Sequence, residues 1–157
     1  MKRPGVPANE RVRESARGPE VAIVEAHVWN EKLDLSHEAM DHEHHLQIAL
    51  VTGFADAVEQ GRPWLARRLA AQLLTYSSAH FGGEELLMEA GNYPARDAHA
   101  AEHAEFISHI RQIQRALDEG DEPVALEAAL DLRQALAAHM NDADRRLAEA
   151  TRAPPRS

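Results

Sequence analysis

The chain has 157 residues, a formal net charge of −9, 44% hydrophobic residues, 4% aromatic residues and no cysteine. Its length suits one domain with a real core, and a composition rich in alanine, leucine, glutamate and arginine favours an all-α protein. The negative charge argues against nucleic-acid binding. The absence of cysteine excludes disulfides and thiolate metal sites, so any metal must bind nitrogen and oxygen ligands.

Both ends of the chain are predicted to be flexible tails. Residues 1–22 are mildly basic and interrupted by proline and glycine, and no apolar segment follows that would make them a secretory signal. Residues 151–157 read TRAPPRS and are expected to fray. No apolar run approaches the ~20 residues that cross a membrane. We therefore expect a domain at residues 23–150, no membrane contact and a cytoplasmic location.

Four long helical patterns follow in chain order. Proline and glycine mark their limits: Gly61 ends the first, Pro63 and Gly91 bound the second, Pro94 and Gly120 bound the third, and Asp121 opens the fourth. Gly91 is expected to be a left-handed cap, and the inner stripe of the second helix is predicted to reach Leu87. The short connections favour an up-down-up-down antiparallel four-helix bundle, with an amino-terminal arm packed on it through Trp29.

Every one of these four apolar stripes contains a histidine. A single buried histidine is usually a core residue with hydrogen-bonded ring nitrogens, but four such residues need four separate sets of partners. A shared metal centre satisfies them together. His80 and Glu84 are four residues apart, as are His99 and His103, so each pair projects from one helical face. This succession of HxxxE and HxxxH predicts a metal site.

A resemblance to the hemerythrin family is carried by four segments, HVWNEKLDLSHEAMDHEHH, SSAHFGGEELLM, NYPARDAHAAEH and HMNDAD. They reproduce the order His, HxxxE, HxxxH, HxxxxD within residues 27–150. The resemblance implies two iron ions joined by an oxo or hydroxo bridge. It also implies a ligand set, in which His99, His103 and His139 bind one iron, His44 and His80 bind the other, and Glu84 and Asp144 bridge the two.

The same resemblance implies that dioxygen binds reversibly at the one open iron position, for storage, delivery or sensing. Sensing would need a separate protein partner, because the chain contains no output domain. The alternative is a di-iron enzyme that consumes peroxide, nitric oxide or oxygen, although no dedicated proton donor is evident at the site. The apolar wall around the open position is predicted to consist of Ile48, Phe81, Ile107 and Met140.

Three histidines in the segment DHEHHLQ compete for the first ligand position. His44 lies on the same stripe as Ile48, whereas His45 shares an outward face with Glu59, and His42 lies near the exposed side. His44 is therefore the predicted ligand, and the other two histidines are predicted to be solvated.

Three details of the site stay open at this point. His139 and Asp144 are five residues apart, about 140° round an ideal helix, so they must flank the centre or the helix must widen locally. Family members often carry a tryptophan where this chain has Ala135, which leaves the packing behind His139 undetermined. Glu85 lies about 100° from Glu84 and should face solvent or a neighbouring helix.

Several other kinds of metal site are disfavoured by the sequence. Ferritin-like di-iron carboxylate enzymes carry Glu-x-x-His on two helices, and the chain contains no such pair. The HExxH motif of zinc proteases is also missing, because the segment HEAMD at His37 lacks the second histidine. Five imidazoles and two carboxylates suit iron, whereas copper(I) and iron–sulfur clusters prefer sulfur ligands.

Overall fold

The computed structural model describes residues 38–152, and these residues form helices without any strand. The helices are α1 (Glu38–Glu59), α2 (Pro63–Ala90), α3 (Arg96–Glu119), α4 (Glu122–His139) and α5 (Arg145–Thr151), with a π-helical turn at Met140–Asp144. Because α4, the π-helical turn and α5 are continuous, they form a fourth long helix. The predicted all-α class and four helices are confirmed. The predicted tail at residues 1–22, the arm with Trp29 and residues 153–157 lie outside the described range.

The four long helices pack into a helical bundle. Each packs against the next in the chain, and α1 also packs against α4. The apolar stripes meet in one large core, whose fully buried members include Ile48, Phe54, Leu73, Ile110, Ile113, Leu132 and Leu136. Between residues 38 and 152, none of the helices is both long and apolar enough to cross a membrane.

The helix ends follow the proline and glycine signals, with one exception. Gly61 and Gly120 have positive φ angles of 62° and 79°, which glycine adopts because it has no Cβ atom. The prediction of a left-handed cap at Gly91 is wrong, since its φ angle is −86°. The left-handed residue is its neighbour Asn92, with a φ angle of 47°. Asparagine tolerates this conformation better than most residues.

The buried face of α2 also differs from the predicted stripe in its last turns. Leu87 is 49% exposed, and Met88 is fully buried in its place. The buried positions in this part of α2 are His80, Phe81, Glu84 and Met88, and three of them, His80, Glu84 and Met88, follow one another at intervals of four residues. Four residues turn a helix by slightly more than one full turn, so this spacing keeps His80 and Glu84 on the inner face.

The buried polar residues of the bundle lie between two apolar regions. On one side is the large core, and on the other is a small cluster formed by Met40, Met88, Leu147 and Ala148. On α1, for example, His44 follows Met40 by one turn and precedes Ile48 by one turn. The polar band is therefore enclosed from both directions along the helices.

Candidate metal centre

Seven buried side chains from all four long helices meet in this polar band. Each is at most 5% exposed. The first helix contributes His44, the second His80 and Glu84, the third His99 and His103, and the fourth His139 and Asp144. The structure thus brings together all seven residues that the sequence predicts as ligands.

The donor atoms of these residues form two overlapping groups. Within each group, the atoms lie within 4.8 Å of one another. One group consists of Glu84, His99, His103, His139 and Asp144, and the other of His44, His80, Glu84 and Asp144. Only the two carboxylates belong to both groups, as expected of ligands shared between adjacent cations.

Asp144 directs one carboxylate oxygen to each group. Its Oδ1 atom is 2.9 Å from Nε2 of His99 and 3.1 Å from Nε2 of His139. Its Oδ2 atom is 2.9 Å from Nε2 of His44. The carboxylate therefore spans the boundary between the groups.

Glu84 is oriented in the same way. Its Oε1 atom is 3.4 Å from Nε2 of His80 and 3.6 Å from Nε2 of His44. Its Oε2 atom is 3.1 Å from Nε2 of His103 and 3.7 Å from Nε2 of His99. Two carboxylates thus lie between the same two sets of imidazoles, each with one oxygen toward either set.

These inward-facing atoms form no hydrogen bonds of acceptable geometry, although several of the distances between imidazole nitrogens and carboxylate oxygens are short. The unpaired atoms are Nε2 of His44, His80, His99, His103 and His139, and both oxygens of Glu84 and Asp144. A buried polar atom without a partner costs about 1–3 kcal/mol, and native interiors contain few of them. A cation binds several such lone pairs at once, so the cluster fits a metal site.

Three glutamates on the bundle surface bind the outer nitrogens of three of these histidines. The contacts are Glu43 with Nδ1 of His80 at 2.8 Å, Glu85 with Nδ1 of His103 at 3.1 Å, and Glu102 with Nδ1 of His139 at 2.6 Å. A carboxylate can only accept a hydrogen bond here, so each imidazole carries its proton on Nδ1. Its Nε2 lone pair then faces the centre, as in the second shell of many metal sites.

The sequence did not identify Glu43 or Glu102 as part of the site. Each is next in sequence to a member of the cluster, but it binds a histidine of the following helix. Glu85, which was expected to face solvent or a neighbouring helix, lies against α3 through His103. The position of Glu85 on α2 was the sequence feature that indicated this contact, because a residue about 100° round the helix from an inward ligand reaches the adjacent helix.

A π-helical turn resolves the five-residue spacing of His139 and Asp144. In an α-helix these side chains would diverge by about 140°. The wider turn at Met140–Asp144 holds more residues per turn and brings Asp144 back to the side of His139. The two side chains approach to 3.1 Å. Of the two arrangements that the spacing allowed, the local widening is the one observed.

Two phenylalanine rings of the large core contact histidines of the cluster. Of the four residues predicted to form the wall, Ile48, Phe81 and Met140 are buried and Ile107 is partly buried. The Phe81 ring stacks on His103, with ring centroids 4.2 Å apart. Behind His139, where Ala135 left the packing undetermined, the ring of Phe106 approaches edge-on, at a centroid distance of 5.0 Å.

The first-helix histidines differ clearly in their exposure. His44 is fully buried, whereas His42 and His45 are exposed. One turn of α1 therefore presents a single histidine to the interior, in the register that the apolar stripe predicts.

Burial and the neighbouring charges shift the pKa values of the cluster in opposite directions for histidine and carboxylate. Burial by itself lowers the pKa of His44, but interactions with Asp144 and Glu84 outweigh it and raise this pKa to about 9. Burial also lowers the pKa of His139, and Asp144 again raises it overall. Conversely, burial raises the pKa of Asp144, but His139, His44 and His99 hold it well below its usual value. A cation that binds here must displace protons.

Comparisons with known proteins agree with this geometry. The family model for the hemerythrin HHE cation binding domain matches residues 35–150. The bacteriohemerythrin of Ralstonia nicotianae is 28% identical over 117 residues, which cover 74% of this chain and 82% of that protein. The bacteriohemerythrin of Pseudomonas aeruginosa is 30% identical over 100 residues, which cover 60% of this chain and 65% of that protein. No solved structure matched the chain with comparable significance.

Alanine variants can compare the effect on metal binding of an outer glutamate, Glu85, with that of the inner carboxylate of Glu84. Glu84→Ala removes an inner carboxylate and should abolish tight binding of at least one ion. Glu85→Ala frees the His103 ring and should weaken metal binding by about 10–100-fold. Glu89→Ala, one turn further along α2 and exposed, is the matched control and should change nothing. Anaerobic titration with ferrous iron against a competing chelator measures all three. Equal losses at Glu84 and Glu85, or no loss at Glu85, would contradict this account.

The protonation of His44 predicts how metal binding depends on pH. Since its pKa is about 9 without metal, the imidazole is protonated at neutral pH and iron must displace that proton. Apparent iron affinity should therefore rise with pH up to about 9, and fall about tenfold per displaced proton for each unit below it. Iron retained after dialysis against a chelator, at about pH 6 and about pH 9, measures this. Equal retention at both values would show that no such proton is displaced.

Proposed function

The chain belongs to the hemerythrin family, and we propose that it holds a pair of iron ions in the seven-residue cluster and binds dioxygen reversibly there. The observation that carries this proposal is the shared membership of Glu84 and Asp144 in both donor groups. A single ion would leave several of the nine inward donor atoms, five imidazole nitrogens and four carboxylate oxygens, unpaired. Two ions between shared carboxylates use every one of them.

The two halves of the proposed centre are unequal. In this assignment, His99, His103 and His139 would bind one iron, His44 and His80 would bind the other, Glu84 and Asp144 would be shared by the two, and a solvent-derived oxo or hydroxo group would complete the bridge. The second set has one nitrogen fewer, which would leave one coordination position open. When bound, the iron pair supplies that open position and the electrons needed to hold dioxygen.

The chain's own residues prepare the site in two ways. The outer glutamates hold three of the five imidazoles, those of His80, His103 and His139, with the Nδ1 proton outward, so their inner nitrogens need no rearrangement when metal binds. Ile48, Phe81 and Met140 are buried beside the histidines and offer no proton donor or acceptor. An apolar wall of this kind excludes water and protons, which favours release of intact dioxygen over its reduction to water.

We assign the bundle an up-down-up-down topology, with an amino-terminal arm preceding it and a domain at residues 23–150. Contacts between α1 and α2 support the alternation. The His44 ring lies against the His80 ring, and further along α1, Gln47 contacts Ser77, which comes earlier on α2. Residue numbers that rise on one helix while they fall on the other indicate an antiparallel pair. The short connections extend the same argument to the remaining helices.

Reconstitution with ferrous iron tests the proposed function. The protein should bind two irons per chain, because seven inward donor residues exceed the needs of one ion. Air should produce a charge-transfer absorption band that disappears on deoxygenation, with release of intact oxygen. A single iron per chain would overturn the paired site. Consumption of oxygen without release would instead indicate a di-iron enzyme.

The first helix offers a matched pair of variants. His44→Ala removes a fully buried imidazole and should leave the second iron weakly held and abolish the oxygen-dependent band. His45→Ala alters the adjacent exposed residue and should leave both iron content and absorbance nearly unchanged. The two variants are measured side by side for iron per chain and for absorbance before and after air. A critical His45 with a silent His44 would require α1 to be rotated by about 100°.

A further inference from the structure

A fully buried pair of polar side chains lies next to the cluster and has no role in holding metal. Gln47 of α1 donates a hydrogen bond from Nε2 to Oγ of Ser77 on α2, at 2.8 Å. Both residues have an exposed fraction of 0%. The Oε1 atom of Gln47 has no hydrogen-bond partner. Because a buried amide oxygen without a partner destabilises a fold, its presence in this core needs an explanation.

The pair is adjacent to one half of the proposed centre. Gln47 follows His44 by three residues and Ser77 precedes His80 by three, so each lies one turn from a histidine on the same helical face. Glu84 lies on the other side of His80, four residues further along α2. The bridging carboxylate and the polar pair therefore flank the His80 position from opposite directions.

The hydrogen bond between the two side chains leaves the amide free to serve as a donor or as an acceptor. A serine hydroxyl can either donate or accept. Turning the Gln47 amide by 180° exchanges Nε2 and Oε1, and the contact with Ser77 is kept in both orientations. In the second orientation both N–H groups of the amide are unpaired. The pair can thus present an acceptor or a donor without losing its own hydrogen bond.

We propose that Gln47 determines ligand specificity by donating a hydrogen bond to small anions bound to the iron between His44 and His80. The inference rests on the proposed function, because it requires that iron. An anion has no proton to donate, so the amide presents N–H and the Ser77 hydroxyl donates to Oε1. The apolar neighbours Ile48 and Phe81 cannot form this hydrogen bond. An otherwise apolar site thereby gains affinity for anionic ligands over neutral ones.

Azide is the probe for this hydrogen bond. It is titrated by absorbance into the full-length, iron-loaded protein. Gln47→Leu should retain the iron content of the wild type and bind azide about tenfold more weakly, the loss expected for one hydrogen bond to a charged group. The matched control is Thr52→Val, which removes another buried, unpartnered polar group of α1 eight residues from His44. Its azide affinity should equal that of the wild type.

The metal-free protein gives a second readout that does not depend on iron. The double variant Gln47→Leu with Ser77→Ala removes both polar groups. If the amide serves a ligand and not the packing, this variant should melt several degrees higher than the wild type. A lower melting temperature would mean that the pair serves to join α1 to α2, and would overturn the specificity role.

The two proposals fail in distinguishable ways. A wild-type protein that cannot hold an iron pair defeats the proposed function, and this inference with it. A wild-type protein with two irons, whose azide affinity is unchanged by Gln47→Leu, defeats the inference alone. Weaker azide binding in Gln47→Leu at equal iron content, with Thr52→Val unaffected, supports both.

Discussion

The structure depends on the neutralisation of two carboxylates that lie inside an apolar bundle. Glu84 and Asp144 are each at most 3% exposed, and an isolated buried carboxylate would be severely destabilising. Five imidazoles face these carboxylates. Positive charge between the imidazole nitrogens and the carboxylate oxygens is needed to neutralise them. Without metal, the raised pKa values of His44 and His139 favour protons on these two imidazoles. In the proposed state, two cations replace the protons, so metal binding and protonation compete for the same atoms.

This electrostatic requirement explains several otherwise separate features of the helices. The apolar regions on both sides of the polar band keep water away from the charges, which strengthens every interaction between them. Surface glutamates hold the histidine rings while their own charges stay in solvent. The π-helical turn at Met140–Asp144 disturbs the regular backbone pattern, and in return it places Asp144 between the two donor groups. A regular α-helix would have turned that carboxylate away from the site.

Much of this arrangement could be predicted from the sequence, because the ligands lie on apolar stripes with helical spacing. The four helices follow from periodicity and from proline and glycine punctuation. The inward position of His44 follows from its neighbours on the stripe. The division of the histidines between two irons came from the family resemblance and not from spacing, which shows only that residues share a face.

Other features depend on how the helices meet, which a single sequence does not specify. Surface glutamates are common on any helix, so nothing in the sequence distinguishes Glu102 from its exposed neighbours until α4 is placed against α3. The buried Gln47 was missed for the same reason, since its partner Ser77 is thirty residues away. The left-handed residue was predicted at Gly91, one position before Asn92, because glycine is the usual residue in this conformation. In each case a tertiary contact or a local backbone detail decided the outcome.

Anomalous X-ray diffraction at the iron edge, from crystals of the iron-loaded protein, tests the paired centre most directly. Two anomalous peaks per chain are expected, with the carboxylates of Glu84 and Asp144 lying between them. A single peak surrounded by all five histidines would contradict the bridging role of these carboxylates. Peaks at the surface glutamates, with none in the bundle interior, would contradict the site altogether.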